Sequence, residues 1–385
     1  MTEATTQQPA HNISSRLFSL DVIRGITIAF MIMVNNNGDW RAAYRPLVHS
    51  AWNGWTPADL VFPSFLFIVG ITTVISTDAR RARGESRKVL LLHAFRRAVI
   101  LFLLGLVING FPYFSLATLR IYGVLQRIAI CYFIAMVLYL WDQRWTWICG
   151  VTVVALAGYW ILMRWVPIPG YGMPTHNFPL LDRNINWVAY VDRCICPGRL
   201  YQGTWDPEGL ISDIPALGTS LIGVLTGLWL RSKQSPQRKA TGLLSAAVCG
   251  LMLGKLWNIW FPINKNLWTS SFVLFAAGST LLLLAACYWL IEIKHWVRGW
   301  TAPWAIFGSN AIIAYVFSEL LESALYSIPV QSRGQASTLQ ALIYERCFSW
   351  IADPSFRALL YSLVYVLICF VPVAVLYRKK IFIKL

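Results

Sequence analysis

Uninterrupted apolar runs of about 20 residues recur along the whole of this 385-residue chain, and they constrain its fold more than any other feature. A helix of that length crosses the hydrocarbon core of a bilayer, where only helices and closed barrels satisfy every backbone polar group internally. Runs of this length read as spanning helices. Spans are expected at 17–36, 58–77, 90–108, 121–140, 145–163, 214–231, 240–260, 267–291, 303–325 and 356–377. Charged residues make up 13%, about half the share usual in a soluble domain. The expected fold class is therefore an all-α polytopic membrane protein, a bundle of about ten transmembrane helices with a large extracytoplasmic loop between helices five and six.

The net charge of +16 is distributed unevenly. An even number of spans puts both termini on one side and divides the connecting segments into two sets. The set holding the N-terminus, 78–97, 142–144, 231–239, 291–300 and the end from Arg378 contains 19 Lys or Arg. The other set, 37–57, 109–120, 164–213, 261–266 and 327–357, is far longer and contains 11. The positive-inside bias then predicts both termini of this multi-pass protein in the cytoplasm. The basic cluster Arg80, Arg81, Arg83, Arg87, Lys88, Arg96 and Arg97 reads as a topology determinant and not as a nucleic-acid site.

Residues 1–15 are polar and read as a disordered cytoplasmic tail; the first apolar run is too long for a cleavable signal. Residues 16–385 show no repeat and no separating linker, and are read as one transmembrane domain. The loop 164–213, rich in Pro, Gly, Trp and Tyr, and the loop 327–355 are expected to cap the outer face. Of eight Cys, those at 131, 149, 249, 287 and 369 lie in spans as packing residues. Cys194, Cys196 and Cys347 lie on the expected outer side, where a bridge from the first two to Cys347 would persist. No Cys/His cluster indicates a metal.

Polar groups in apolar spans are costly and mark either function or a paired structural lock. Asp21 and Arg24 share a helix face and can pair; Gln126 and Arg127, Lys255, and Glu319 with Glu322 also fall inside spans. Together they imply a polar cavity in the bundle. His49 lies at the outer edge among Asn35, Asn36, Asn37, Trp52, Asn53, Thr56 and Asp59. An imidazole there can switch protonation near neutral pH, and Asp59 is its natural orienting partner. Asp59 also suits a helix start, with Thr56 as N-cap and Pro57 in the first position. The Asn35 amide can donate to an oxyanion or simply cap the first helix. These residues suit group transfer from an inner anionic donor to an outer acceptor, and equally a transporter with a proton-relay histidine.

The segments SLDVIRGITIAFMIMVNNNG, HSAWNGWTPADLVFPSFLFIVG, LRIYGVLQRIAICY, YQGTWDPEGLISDIPALGTSLIGVLTG and FPINKNLWTSSFVL resemble, in order, the heparan-α-glucosaminide N-acetyltransferase family and its bacterial homologues. The resemblance implies transfer of acetyl from cytoplasmic acetyl-CoA to the amine of a glucosamine-type sugar across the membrane, without a metal. It carries the family's essential histidine to His49 and its asparagine to Asn35, with Asp59 in the shared ADLVFP block. Arg24, Arg96, Arg97, Gln126 and Arg127 are the expected contacts of the cofactor, its phosphates meeting basic groups among Arg80–Arg97 and Arg378–Lys380. Trp52, Asn53, Arg120, Asp206, Glu208, Asn264, Lys265 and Trp268 are the expected contacts of the acceptor. His49 then serves as general base or as a transient acetyl carrier. The animal enzyme's dimer implies a homodimer. Two alternatives remain open: an O-acyltransferase of an envelope glycan, and a transporter or flippase for a glycan or lipid precursor.

Overall fold

The computed structural model describes residues 17–297, 299–332 and 335–383. The tail expected at 1–15 lies outside them. Among the described residues nine helices are long and apolar enough to cross a membrane, or ten if one bent pair counts as a single span. The chain is an all-α polytopic membrane protein, and its helices fall close to the expected spans. In order these are α1 (Phe18–Asn35), α2 (Val61–Arg81), α3 (Arg87–Gly110), α4 (Val124–Trp141), α5 (Trp145–Trp165), α7 (Asp213–Arg231), α8 (Pro236–Trp257), α9 (Ser270–Tyr288), the pair α10 (Ala302–Ser309) and α11 (Ala311–Ser327), and α13 (Pro354–Arg378).

The ninth span departs from the expected straight rod. It breaks at Asn310, and α10 and α11 diverge by 74°. Gly25 and Gly308 bring α10 hard against α1, so close that a Cβ on Gly25 would overlap the Trp304 carbonyl. Gly70 and Gly223 do the same for α2 and α7. Lipid chains are as apolar as leucine, so small residues and close backbone approach, not hydrophobicity, hold such helices together. The apolar window of α2 is 78% buried and that of α8 only 17%, which puts α2 at the centre and α8 at the rim.

Several links tie the outer-set loops into one cap. The indole N–H of Trp52 donates to the Leu181 carbonyl at 2.7 Å, and the Gly54 N–H to that of Ile263 at 2.8 Å. Gln340 donates to the Gly38 carbonyl at 3.1 Å. The segment read as a loop at 164–213 carries the helix α6 (Trp187–Ile195), whose N-cap Asn186 accepts from the Ala189 N–H. The second cap segment folds into a hairpin of β1 (Pro329–Ser332) and β2 (Gln335–Thr338) followed by α12 (Leu339–Phe348).

Two expectations are corrected here. Lys255 does not line a polar interior: it lies exposed near the end of the rim helix α8, where a lysine reaches the interface along its own stem. The bridge from Cys194 or Cys196 to Cys347 is absent, all three being free thiols.

Candidate functional site

The end of α1, the turn before α2 and the loop between α8 and α9 converge on a small charged cluster. The sequence TPADL makes a single 3₁₀ turn, Pro57–Leu60, with Thr56 as its N-cap. That turn presents the fully buried Asp59 side chain inward. One oxygen of Asp59, Oδ2, accepts the N–H of Ser50 at 3.0 Å, the N–H of Thr56 at 2.9 Å and the Thr56 hydroxyl at 3.2 Å. The other, Oδ1, lies 2.9 Å from His49 Nδ1. A carboxylate only accepts, so Nδ1 carries the proton and Nε2 is left with its lone pair.

Lys265 completes the cluster. Its ammonium is 3.1 Å from His49 Nδ1, 3.2 Å from Nε2 and 3.7 Å from Asp59 Oδ1. An atom nearly equidistant from both ring nitrogens cannot lie in the ring plane without striking the carbon between them. Nζ therefore rests against the ring face, and the in-plane lone pair of Nε2 stays clear. Burial, and next the Lys265 charge, pull the His49 pKa below the usual histidine value; the Asp59 hydrogen bond opposes them and loses. Burial likewise lowers the Lys265 pKa, against Asp59 and Glu208. The imidazole is thus neutral at neutral pH and available as a base. Its side chain keeps 37% of its surface open, enough for a reactant to reach it.

The remaining expected acceptor residues divide. Trp52 meets the edge of Trp205 at 5.0 Å beneath the Arg183 guanidinium. Asn53 and Asn264 join side chain to side chain at 3.1 Å, and Asn264 also takes the Leu267 N–H; they fasten the His49 loop to the Lys265 loop. Arg120 grips Asp206 through two nitrogens, at 2.7 and 2.5 Å, and also holds Glu208. These three charges largely satisfy one another. Trp268 is buried under the guanidinium of Arg127, 4.8 Å from ring to charge, and meets no open surface. Asn35 ends α1 and donates through Nδ2 to Glu319 of α11 at 3.4 Å.

At the opposite end of the bundle a cavity of about 510 Å³ opens between α1, α2, α3, α4 and the α10–α11 break. Arg80, Arg83, His93 and Arg97 surround its mouth, and Leu101, Leu125 and Ile128 line its depth. It follows α2 from Arg83 and Arg80 up to Phe65, a rise of about 22 Å at helical pitch, most of a bilayer core. Arg24 and Arg97, both expected, line it; Arg24 also reaches Asp21 at 3.4 Å and the Gly308 carbonyl at 3.2 Å. Among the described residues Arg97 Nε is buried with no hydrogen-bond partner.

Arg96 points away, exposed on the other face of α3, and Arg378–Lys380 are exposed outside the lining. Helical spacing would have separated the two arginines, since His93 and Arg97 are four apart on one face and Arg96 is a hundred degrees round. Gln126 and Arg127 are buried beside the cavity floor but do not line it. Arg127 instead pairs with Asp213 at 2.7 Å and bonds Ser212 and the Gly209 carbonyl at 3.3 Å, locking α4 to α7.

Two carboxylates of this second cluster were missed. Asp213 is the partner of Arg127. Asp192 on α6 accepts the Asp206 and Leu210 N–H groups at 3.3 and 3.2 Å, and burial followed by the Asp206 charge pushes it up to about 7. Nothing in the local sequence marks Asp192. Asp213 opens a helix, a place where acidic residues are common for other reasons.

The family described as heparan-alpha-glucosaminide N-acetyltransferase, catalytic, matches residues 16–255. The mouse protein named heparan-alpha-glucosaminide N-acetyltransferase is 30% identical over 366 residues, 80% of this chain and 54% of its own length. The human protein of the same name is 29% identical over 361 residues, 80% of this chain and 53% of its own. The chain spans about half the length of the curated relatives it matches.

Proposed function

The chain belongs to the heparan-alpha-glucosaminide N-acetyltransferase catalytic family, and from that premise we propose that it moves an acetyl group from acetyl-CoA to an amino sugar on the opposite side of the membrane. One observation carries the reading: His49 donates through Nδ1 to a buried carboxylate and keeps Nε2 open at the mouth of the bundle. The charge bias of the loops supports placing that mouth outside the cell and the basic cavity at the cytoplasmic face, with both termini on the cytoplasmic side.

The cavity suits the donor. Its mouth offers Arg83, Arg97 and His93 to phosphates, with Arg80 held by Glu85 at 2.6 Å; its depth is apolar, and among the described residues Arg97 Nε is a donor without an acceptor. The bound donor supplies an acetyl group activated as a thioester. His49 does the rest: Nε2 removes one proton from the acceptor's ammonium, a service worth about 10²–10⁴-fold in rate. The freed nitrogen bonds to the acetyl carbon, the C–S bond breaks, and the second N–H proton passes to the departing sulfur. Asp59 stabilises the imidazolium that forms. Lys265 keeps the resting imidazole neutral, so that the base is free before the acceptor arrives. Trp52 and Asn53, on the same loop as His49, are the groups beside this chemistry that can hold a sugar.

The test is acetyl transfer by the purified protein from labelled acetyl-CoA, with glucosamine as acceptor and product mass as readout. N-acetylglucosamine and free CoA are expected, and both fall by about 10²–10⁴-fold in His49→Ala. An acetyl ester in place of the amide would show the acceptor to be a hydroxyl. Uptake of a glycan into liposomes without donor would show a transporter and overturn the reading.

A further inference from the structure

Glu319 is a carboxylate inside an apolar span, a placement that membranes tolerate where the group has a task. The break at Asn310 swings α11 by 74° and carries Glu319 back towards the end of α1. There its Oε1 meets Asn35 Nδ2 at 3.4 Å. No lysine, arginine or histidine pairs with Glu319 among the described residues, so the Asn35 amide is the group it engages. The contact runs from Asn35 Nδ2 as donor to Glu319 Oε1 as acceptor, which puts the N–H end of the amide towards Glu319. Asn35 Oδ1 is then turned the other way, and no protein donor reaches it among the described residues. Asn35 is itself only partly buried, and its neighbours Asn36 and Asn37 are spent on carbonyls in the last turn of α1, Ile32 at 2.8 Å and Val34 at 3.1 Å.

We infer that Glu319 is a positioning residue that acts through Asn35: by holding the amide nitrogen it presents the Asn35 carbonyl oxygen to the acceptor amine. This rests on the acetyl-transfer reading above, and it alters the part expected of Asn35. An amide held in this way accepts an N–H of the incoming amine. With His49 Nε2 taking one proton and Asn35 Oδ1 accepting a second N–H, two of the nitrogen's directions are fixed, and its freed lone pair has a defined heading towards the acetyl carbon. Fixing a reactant's orientation is worth far more than the weak hydrogen bond that achieves it.

A double-mutant cycle on turnover tests the inference, using radiolabelled acetyl transfer to glucosamine by the full-length protein. Glu319→Ala should lower kcat on the order of 10–10²-fold while leaving the KM for acetyl-CoA unchanged. Glu319→Gln, which keeps a neutral acceptor for Nδ2, should recover part of the loss. In an Asn35→Ala background, either Glu319 change should add less than about twofold, because the group it positions is gone. Losses that multiply in that background, or full turnover in Glu319→Ala, overturn the inference. If Glu319→Ala does not fold, Glu319→Gln, of nearly the same shape, carries the same cycle with the same two outcomes. A wild-type protein that transfers no acetyl overturns the acetyl-transfer reading first and this inference with it; an active wild type beside an unaffected Glu319→Ala overturns this inference alone.

Discussion

Two charged clusters lie at the same end of this bundle and are built on opposite plans. In one, Arg120 and Arg127 meet Asp206, Glu208 and Asp213, and the charges are consumed by each other. Arg127 is 1% exposed, and its pairing welds α4 to α7. In the other, Asp59 is just as buried, but it spends its charge on orienting an imidazole whose far nitrogen has no in-plane partner and whose side chain is 37% open. Both clusters contain ions that a membrane span should not tolerate. What separates a lock from a reactive site is whether a lone pair is left over and reachable, not how many charges are present.

Substitutions can break this contrast in order of size. His49→Ala should lower acetyl transfer by about 10²–10⁴-fold while the protein elutes and melts as wild type; a matching fall in melting temperature would move His49 into the structural cluster. Arg127→Met should do the reverse. It leaves Asp213 buried without its cation, a loss of about 3–5 kcal/mol that thermal unfolding in detergent would register, whatever remains of activity. If that variant melts normally but no longer binds acetyl-CoA, Arg127 is a cofactor contact after all.

The pH profile sharpens the comparison within the reactive cluster. Burial and Lys265 hold the His49 pKa below the ordinary histidine value, so the acid limb of kcat/KM should fall below pH 6.5. Removing the cation in Lys265→Met removes a term that lowers that pKa, so the limb should move to higher pH; movement to lower pH would contradict the stacked geometry. The smallest effect belongs to the cavity. Arg97→Ala should raise the KM for acetyl-CoA several-fold, about 1 kcal/mol of charge-assisted contact, and Arg96→Ala should leave it unchanged. Equal effects would mean that the donor does not enter by this mouth.

Much of the fold was legible in the sequence. The spans could be read to within a few residues because hydropathy is a sum over neighbours in the chain, and length alone decides whether a helix can cross. The start at Thr56 and Pro57 was legible for a similar reason, its cap and its proline being local, though the first turn, Pro57–Leu60, is 3₁₀. The break at Asn310 was not, since the apolar run continues through it and the bend is imposed by α10 packing on α1. Nor was the division of labour among charges. Spacing puts Arg96 and Arg97 on different faces of α3, but which face meets the cavity is set by how α3 packs on α4.

By itself the sequence determined a membrane bundle, an uneven spread of charge over its loops, and a histidine among amides ten residues before an aspartate. The tertiary structure alone decided what faces that histidine. Lys265 is 216 residues away, the Asp213 that neutralises Arg127 is 86 from it, and the Glu319 that holds Asn35 is 284 from it. Coulomb and hydrogen-bond energies depend on distances of a few ångströms, and no local pattern in the chain encodes those distances for residues so far apart.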